Sequence, residues 1–272
     1  MKKKVLSALF IFPSAVFFAV FFILPLVLLG GKSFQAQEGG FTFSNYTEII
    51  TNPYYFRALS NSIVLSLLVT LASLLIGGVL AFFLARSHFR LKPLLISILS
   101  FPVSLPGVVV GFMIIILFGN TGIIPNLMKA LTGEKLLAIA YTKVGVFLAY
   151  IYFIGPRTAI TLYGALVDFD TKLEEAARTI GATEHQTLFR IVIPTLMPSF
   201  VSAGILAFST ATSAFGTAFT LANQFDIIPI VMYNEYTMSF RIGKASAMAI
   251  VIGLMCFLLS LAYRRIMERR NL

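Results

Sequence analysis

The chain has 272 residues, of which 58% are apolar and only 12% charged, with a formal net charge of +10 and a mean hydropathy of +0.91. A water-soluble domain carries about 25% charged residues, so this composition excludes a large soluble body and leaves a membrane protein. The bases occur in short clusters between apolar runs, which fits topology signals facing an anionic leaflet and excludes a nucleic-acid partner.

Crossing the hydrocarbon core takes roughly 20 apolar residues, and six runs qualify: about 5–31, 62–85, 94–118, 138–163, 196–221 and 245–263. The first follows Lys2, Lys3 and Lys4 but is far longer than a signal-peptide core of about 7–15 residues, so it is read as a retained helix. Pro13 and Pro25 lie within it as expected kinks. Residues 1–60 are read as the first span and an outer loop, 61–265 as a transmembrane core, and 266–272 as a basic tail.

Orientation follows the bases. Lys2–Lys4, Arg86, Arg90, Lys92, Lys172, Arg178, Arg190, Arg264, Arg265, Arg269 and Arg270 gather on one side. That side is expected to be the cytoplasm, with both termini in it. Tyr54, Tyr55, Phe56 and Tyr141 are read as an outer aromatic belt and Tyr263 as an inner one. The sequon at Asn45-Tyr46-Thr47 is read as incidental.

No Asp or Glu lies inside the six runs, which weighs against an ion or proton relay. Gly30-Gly31-Lys32-Ser33 lacks the earlier glycine of a phosphate-binding loop, since position 26 is Leu26. The chain is therefore expected to hydrolyse no ATP itself. One cysteine, Cys256, and two separated histidines predict neither disulfide nor metal site, and no cofactor is expected.

Span three opens on Phe101-Pro102-Val103-Ser104-Leu105-Pro106-Gly107, read as a broken start or as a proline-tolerant helix end. Span five is rich in hydroxyls. Ser202, Ser209, Ser213, Thr217 and Thr220 fall roughly on one face with Gly216 beside them. Such a stripe either lines a translocation pathway (candidates Ser209, Ser213, Gly216, Thr217 and Thr220) or packs helix against helix.

The loop of about 164–195, between spans four and five, reads as structured. Thr171-Lys172-Leu173-Glu174 fits a capping box. Leu173, Ala176, Ala177 and Ile180 follow at i, i+3, i+4 and i+7, and Gly181 suits a helix C-cap. Thr183-Glu184-His185-Gln186 supplies a second capping box, opening a second short helix before Pro194 and Pro198. The alanine-sided stripe and a polar face carrying Asp168, Asp170, Glu174, Glu175 and Arg178 fit a charged protein groove better than a lipid surface.

Glu175-Ala176-Ala177, three residues, Gly181, nine residues, then Ile191-Val192-Ile193-Pro194 resembles the EAA loop of ABC importer permeases. Ile193 stands where that family has leucine, a volume-conserving departure. The resemblance implies an all-α, six-helix permease of the bacterial inner membrane with a short cytoplasmic coupling helix between spans four and five. It further implies two cytoplasmic ATPase subunits, an extracytoplasmic binding protein and a second permease subunit, with a paralogue favoured over a second copy. Glu174, Glu175, Ala176, Ala177, Gly181, Ile191 and Pro194 would then form the ATPase-coupling element. A fainter resemblance of Ser213–Ala222, with Tyr233-Asn234-Glu235, to polyamine and 2-aminoethylphosphonate permeases implies a small solute of that kind. The rival expectation is a secondary transporter or channel that works without ATP.

Overall fold

In the computed structural model, residues 11–222 and 225–270 are described, with side chains to 265. The Lys2–Lys4 cluster and the ends of the basic tail lie outside them. Among the described residues the chain is predominantly helical, with turns and loops between helices and one isolated β-bridge, Gln35↔Phe41. The helices are α1 (Ile11–Ser33), α2 (Ser44–Thr51), α3 (Pro53–Arg86), α4 (Lys92–Ser104), α5 (Gly107–Phe118) and α6 (Ile123–Thr132). They continue as α7 (Lys143–Val167), α8 (Lys172–Thr179), α9 (Glu184–Ser213), α10 (Phe215–Leu221), α11 (Ile228–Thr237) and α12 (Ile242–Arg270). Among the described residues, six stretches are long and apolar enough to cross a membrane: α1, α3, Gly107–Thr132, α7, α9 and Ile242–Arg265.

Prolines shape the long helices through local widening. A π turn, Ala19–Ile23, precedes Pro25 in α1, and another, Leu188–Val192, precedes Pro194 in α9. In each case the residue just before the proline donates five residues back, Leu24 to Ala19 O and Ile193 to Leu188 O. A proline has no N–H and its ring crowds the carbonyl four residues earlier. The wider turn relieves that clash and keeps the helix running. The second short helix expected after Gly181 is consequently the first turn of span five, in one continuous rod.

Two expected spans are interrupted. Leu105 adopts extended backbone (φ −77°, ψ 136°) because Pro106 follows it, so span three divides into α4 and α5. Span five ends at Ser213, and Ala214 (φ −71°, ψ 91°) separates α9 from α10. Span four begins later than its apolar run suggests. Thr142 caps α7 by accepting from Gly145 N, and Ala140 N donates to Phe118 O, which holds the preceding apolar residues as loop.

The chain divides into two compact units, one from the described parts of Met1–Arg57 and Val231–Leu254, the other from those of Ala58–Ile230 and Met255–Leu272. In the first, α1 exposes its apolar side chains all round, as a lipid-facing helix does. Asn45 is buried and donates to Ser33 O (2.9 Å) and Gln35 O (3.0 Å), so the sequon's amide is part of the fold. Tyr55, expected in an aromatic belt, is buried instead, because its hydroxyl donates to Glu235 Oε1 at 2.7 Å. Lys244 pairs with Glu48 and lies 4.9 Å from the Tyr55 ring centroid.

In the second unit, Val110, Ile114, Val146, Ala149, Tyr150, Ile154, Ala207, Ala211, Ala218 and Leu221 form one core. Ala81, Leu162, Leu166, Phe169, Val192, Leu196 and Ala203 form another. Buried hydroxyls bond across helices, with Thr212 donating to Ser66 Oγ (3.0 Å) and Tyr263 to Pro198 O (2.8 Å).

The Lys244 ammonium, with Ser44, holds the Glu48 carboxyl below its ordinary 4.5. Near that pH the unfolded chain therefore binds more protons than the folded one. The stabilisation is complete above about pH 4.5 and is lost as pH falls through the lowered value. Thermal unfolding in detergent should show the midpoint falling more steeply on acidification below that pH in the wild type than in Glu48→Gln.

Candidate functional site

Two places gather the residues singled out in the sequence, and both lie in the second unit. The first is the turn that joins α8 to α9. Gly181 has φ +81°, the left-handed conformation of a helix C′ residue, with open space around it. Its N–H donates to Arg178 O and that of Ala182 to Ala177 O, both at 3.0 Å. Those two bonds close a Schellman motif and satisfy carbonyls at the end of α8. Two residues on, Thr183 Oγ1 accepts from Gln186 N and Gln186 Oε1 accepts from Thr183 N, the expected second capping box.

The start of α8 departs from expectation. Thr171 makes no side-chain cap. Asp170 Oδ1 accepts from Lys172 N at 3.0 Å in its place. Thr171 has helical backbone (φ −63°, ψ −17°), which takes its hydroxyl out of the capping position, and the Glu174 carboxylate pairs with the guanidinium of Arg86.

Of the residues expected to couple, Glu175 and Ala176 are exposed, as are Leu173, Ile180 and Gly181. Ala177 is buried, Ile191 half-buried and Pro194 exposed. Ile180 is 86% exposed, an apolar side chain left uncovered by the described residues. The helix thus turns Glu174 and Ala177 inward and presents an outer surface of small, apolar and acidic side chains.

The second place is where the two interrupted spans meet. Thr217 Oγ1 donates to Gly107 O at 2.9 Å, joining the start of α10 to the start of α5. A Cβ on Gly216 would come 3.0 Å from Val108 N, and one on Gly107 2.9 Å from Thr217 Oγ1. At Gly111 it would come 1.7 Å from Thr220 Oγ1. The glycines therefore serve backbone-close packing of α5 on α10. Tyr150 reaches the break from α7, its hydroxyl donating to Ala214 O at 2.7 Å.

The hydroxyl stripe divides accordingly. Thr217 is buried and Thr220 bonds back to Thr217 O, while Ser213 is exposed and bonds back to Ser209 O at 2.8 Å. Tyr150 is the residue here that sequence reasoning overlooked. A tyrosine within an apolar span was its signal, shared with Tyr152 and Tyr163, since a buried phenol hydroxyl needs a partner.

The sequence model of the family described as "Binding-protein-dependent transport system inner membrane component" matches residues 73–271. The spermidine/putrescine transport system permease protein PotB of Escherichia coli (strain K12) is 27% identical over 248 residues, covering 87% of this chain and 90% of that protein. The probable sulfate transport system permease protein cysT of Chlorokybus atmophyticus is 27% identical over 244 residues, covering 88% and 83%. Among solved structures, a bacterial ABC transporter involved in the import of the acidic polysaccharide alginate matches with TM-score 0.84 at 18% identity, over 98% of this chain and 96% of that one.

Gly111→Val should lower the stability of the detergent-solubilised chain by about 1–3 kcal/mol, the cost of overpacking a tight helix contact. Adding Thr220→Ala, which removes the obstructing hydroxyl, should recover part of that loss in thermal unfolding.

Proposed function

The chain belongs to the family of binding-protein-dependent transport system inner membrane components, and from that membership we propose that it is half of the translocation pathway of an ATP-driven importer. ATP hydrolysis belongs to a separate subunit in this reading. The observation that carries it is the outer surface of α8. A short helix with Glu175, Ala176 and Leu173 uncovered, and Ile180 uncovered at its end, stands beside a left-handed Gly181 at the EAA spacing, and α9, which follows that turn, runs without interruption into span five.

Docked in a groove of a cytoplasmic ATPase subunit, that surface becomes covered. Ala176 allows close backbone approach, Glu175 supplies a charged contact, and Gly181 fixes the angle between α8 and α9. Because α9 is one rod, movement of the ATPase pair displaces span five as a rigid body, and alternating access follows from two such displacements acting together. A second permease subunit, a paralogue by preference, completes the pathway and an extracytoplasmic binding protein delivers the solute. Ser209, Ser213, Gly216, Thr217 and Thr220 lie at or near the break that this movement must accommodate.

For the solute we favour a polyamine or aminophosphonate-like small molecule. The similarity to the spermidine/putrescine permease and the Ser213–Ala222 stretch support that class.

Loss of this chain should abolish uptake of labelled putrescine, spermidine or 2-aminoethylphosphonate in cells and leave sulfate and molybdate uptake intact; the reverse pattern would sink the solute class. Glu175→Lys, which reverses the charge of the docking contact, and Gly181→Val should insert normally yet reduce ATPase co-purification and ATP-dependent uptake, Gly181→Val by about tenfold, as a strain of about 1–2 kcal/mol at a left-handed residue implies. Uptake that continues in vesicles without any ATPase subunit would overturn the importer reading.

A further inference from the structure

Arg86 is the last residue of α3, and the docking surface described above makes no use of it. Its Nη2 donates to Glu174 Oε1 in the first turn of α8. The guanidinium carbon also lies 5.9 Å from the Phe82 ring centroid, on its own helix, and 5.8 Å from that of Phe169, in the link leading into α8. Phe169 is itself buried in the core with Ala81, Leu166 and Val192. One guanidinium therefore ties together the end of α3, the link before α8 and α8 itself.

Depth decides what this pair does. The Arg86 and Glu174 side chains are 27% and 13% exposed, whereas those of Arg178 and Glu184, 3.9 Å apart, are 61% and 88% exposed. Water screens the second pair, which contributes little to holding α8 in place. The first has lost most of that screening, so removing either partner leaves the other's charge poorly compensated. Stacking on aromatic faces and a planar donor fork are features of arginine that lysine does not reproduce.

We propose that Arg86 and Glu174 form a strut that fixes the pose of α8 and carries its displacement to the end of α3, a helix far from α8 in sequence. Chain connectivity already joins α8 to α7 and α9; the strut adds span two to the set that moves. Glu174 then acts as a positioning residue through Arg86, and of the two adjacent glutamates only Glu175 faces the partner. The transmission half of this proposal rests on the ATPase-coupled reading above.

Two measurements test it. In the detergent-solubilised chain, hydrogen exchange over Lys172–Thr179 should quicken about tenfold in Arg86→Gln and in Glu174→Gln, the loss expected for a partly desolvated pair. The double Gln variant should exchange no faster than either single one, and the swap Arg86→Glu with Glu174→Arg should restore protection. Wild-type exchange in the single variants, or additive losses in the double, would overturn the strut.

In the transporter purified with its ATPase subunits, a spin label at Ser87→Cys should respond to ATP with vanadate. Arg86→Gln should lose that response while still co-purifying the ATPase, and Arg86→Lys should keep part of it. A full response in Arg86→Gln would overturn transmission through the strut. A wild-type chain that brings down no ATPase would overturn the importer reading and the transmission half together, with the exchange result then judging the strut by itself.

Discussion

In an apolar surround a backbone amide or carbonyl without a partner costs several kcal/mol, because no water stands ready to replace a lost bond. Several irregularities in the described spans follow from that constraint. Pro25 and Pro194 remove donors, and the helices respond by widening into π turns whose last bond skips the obstructed position. Where widening does not suffice, at Leu105 and at Ala214, the helix stops and side chains take over. Tyr150 satisfies the carbonyl of Ala214, and Thr217 that of Gly107. Both repairs fall where the two interrupted helices approach each other through Gly107 and Gly216, so the breaks are held open by specific bonds and by the absence of side-chain volume.

The scarce charges obey a related economy. Acids with little exposure are each matched to a neighbour: Glu174 to Arg86, and Glu235 to the Tyr55 hydroxyl with Arg241 3.9 Å away. Lys244, itself buried, takes Glu48 and the face of Tyr55. Among the exposed acids, Glu175 lies on the helix whose apolar side chains are also uncovered, with Asp168, Asp170 and Glu184 exposed in the segments flanking it. Burial thus sorts adjacent residues of one type into internal ties and outward contacts, and Glu174 and Glu175 are the sharpest instance.

Much of this was legible in the sequence because its causes are local. Six apolar runs gave six spans, the Thr183–Gln186 box needed only four residues, and Gly181 announced a left-handed turn by being glycine at the end of a short amphipathic stretch. The family spacing, too, is a local pattern. What escaped depends on distant partners. The glutamate half of the Thr171 box is taken by Arg86, 88 positions earlier, while Thr171 itself has helical backbone. The break at Ala214 has no proline and no glycine at the break itself, and its carbonyl is satisfied from 64 positions away. The polar start of α3, Pro53 to Asn61, extends the apolar run seen in sequence, with Tyr55 and Asn61 both bonded to residues beyond position 220.

The π turn at Leu188–Val192 has a geometric consequence for the helix that precedes it. A widened turn takes up about one more residue than an α turn, and a residue is worth about 100° of rotation about the helix axis. Everything on its N-terminal side, the capping box and the Gly181 elbow included, is set at a different azimuth around span five than an uninterrupted α-helix would give it. The compass bearing on which α8 offers its outer face is therefore written as a phase offset next to Pro194, thirteen residues past the elbow and within the span it steers.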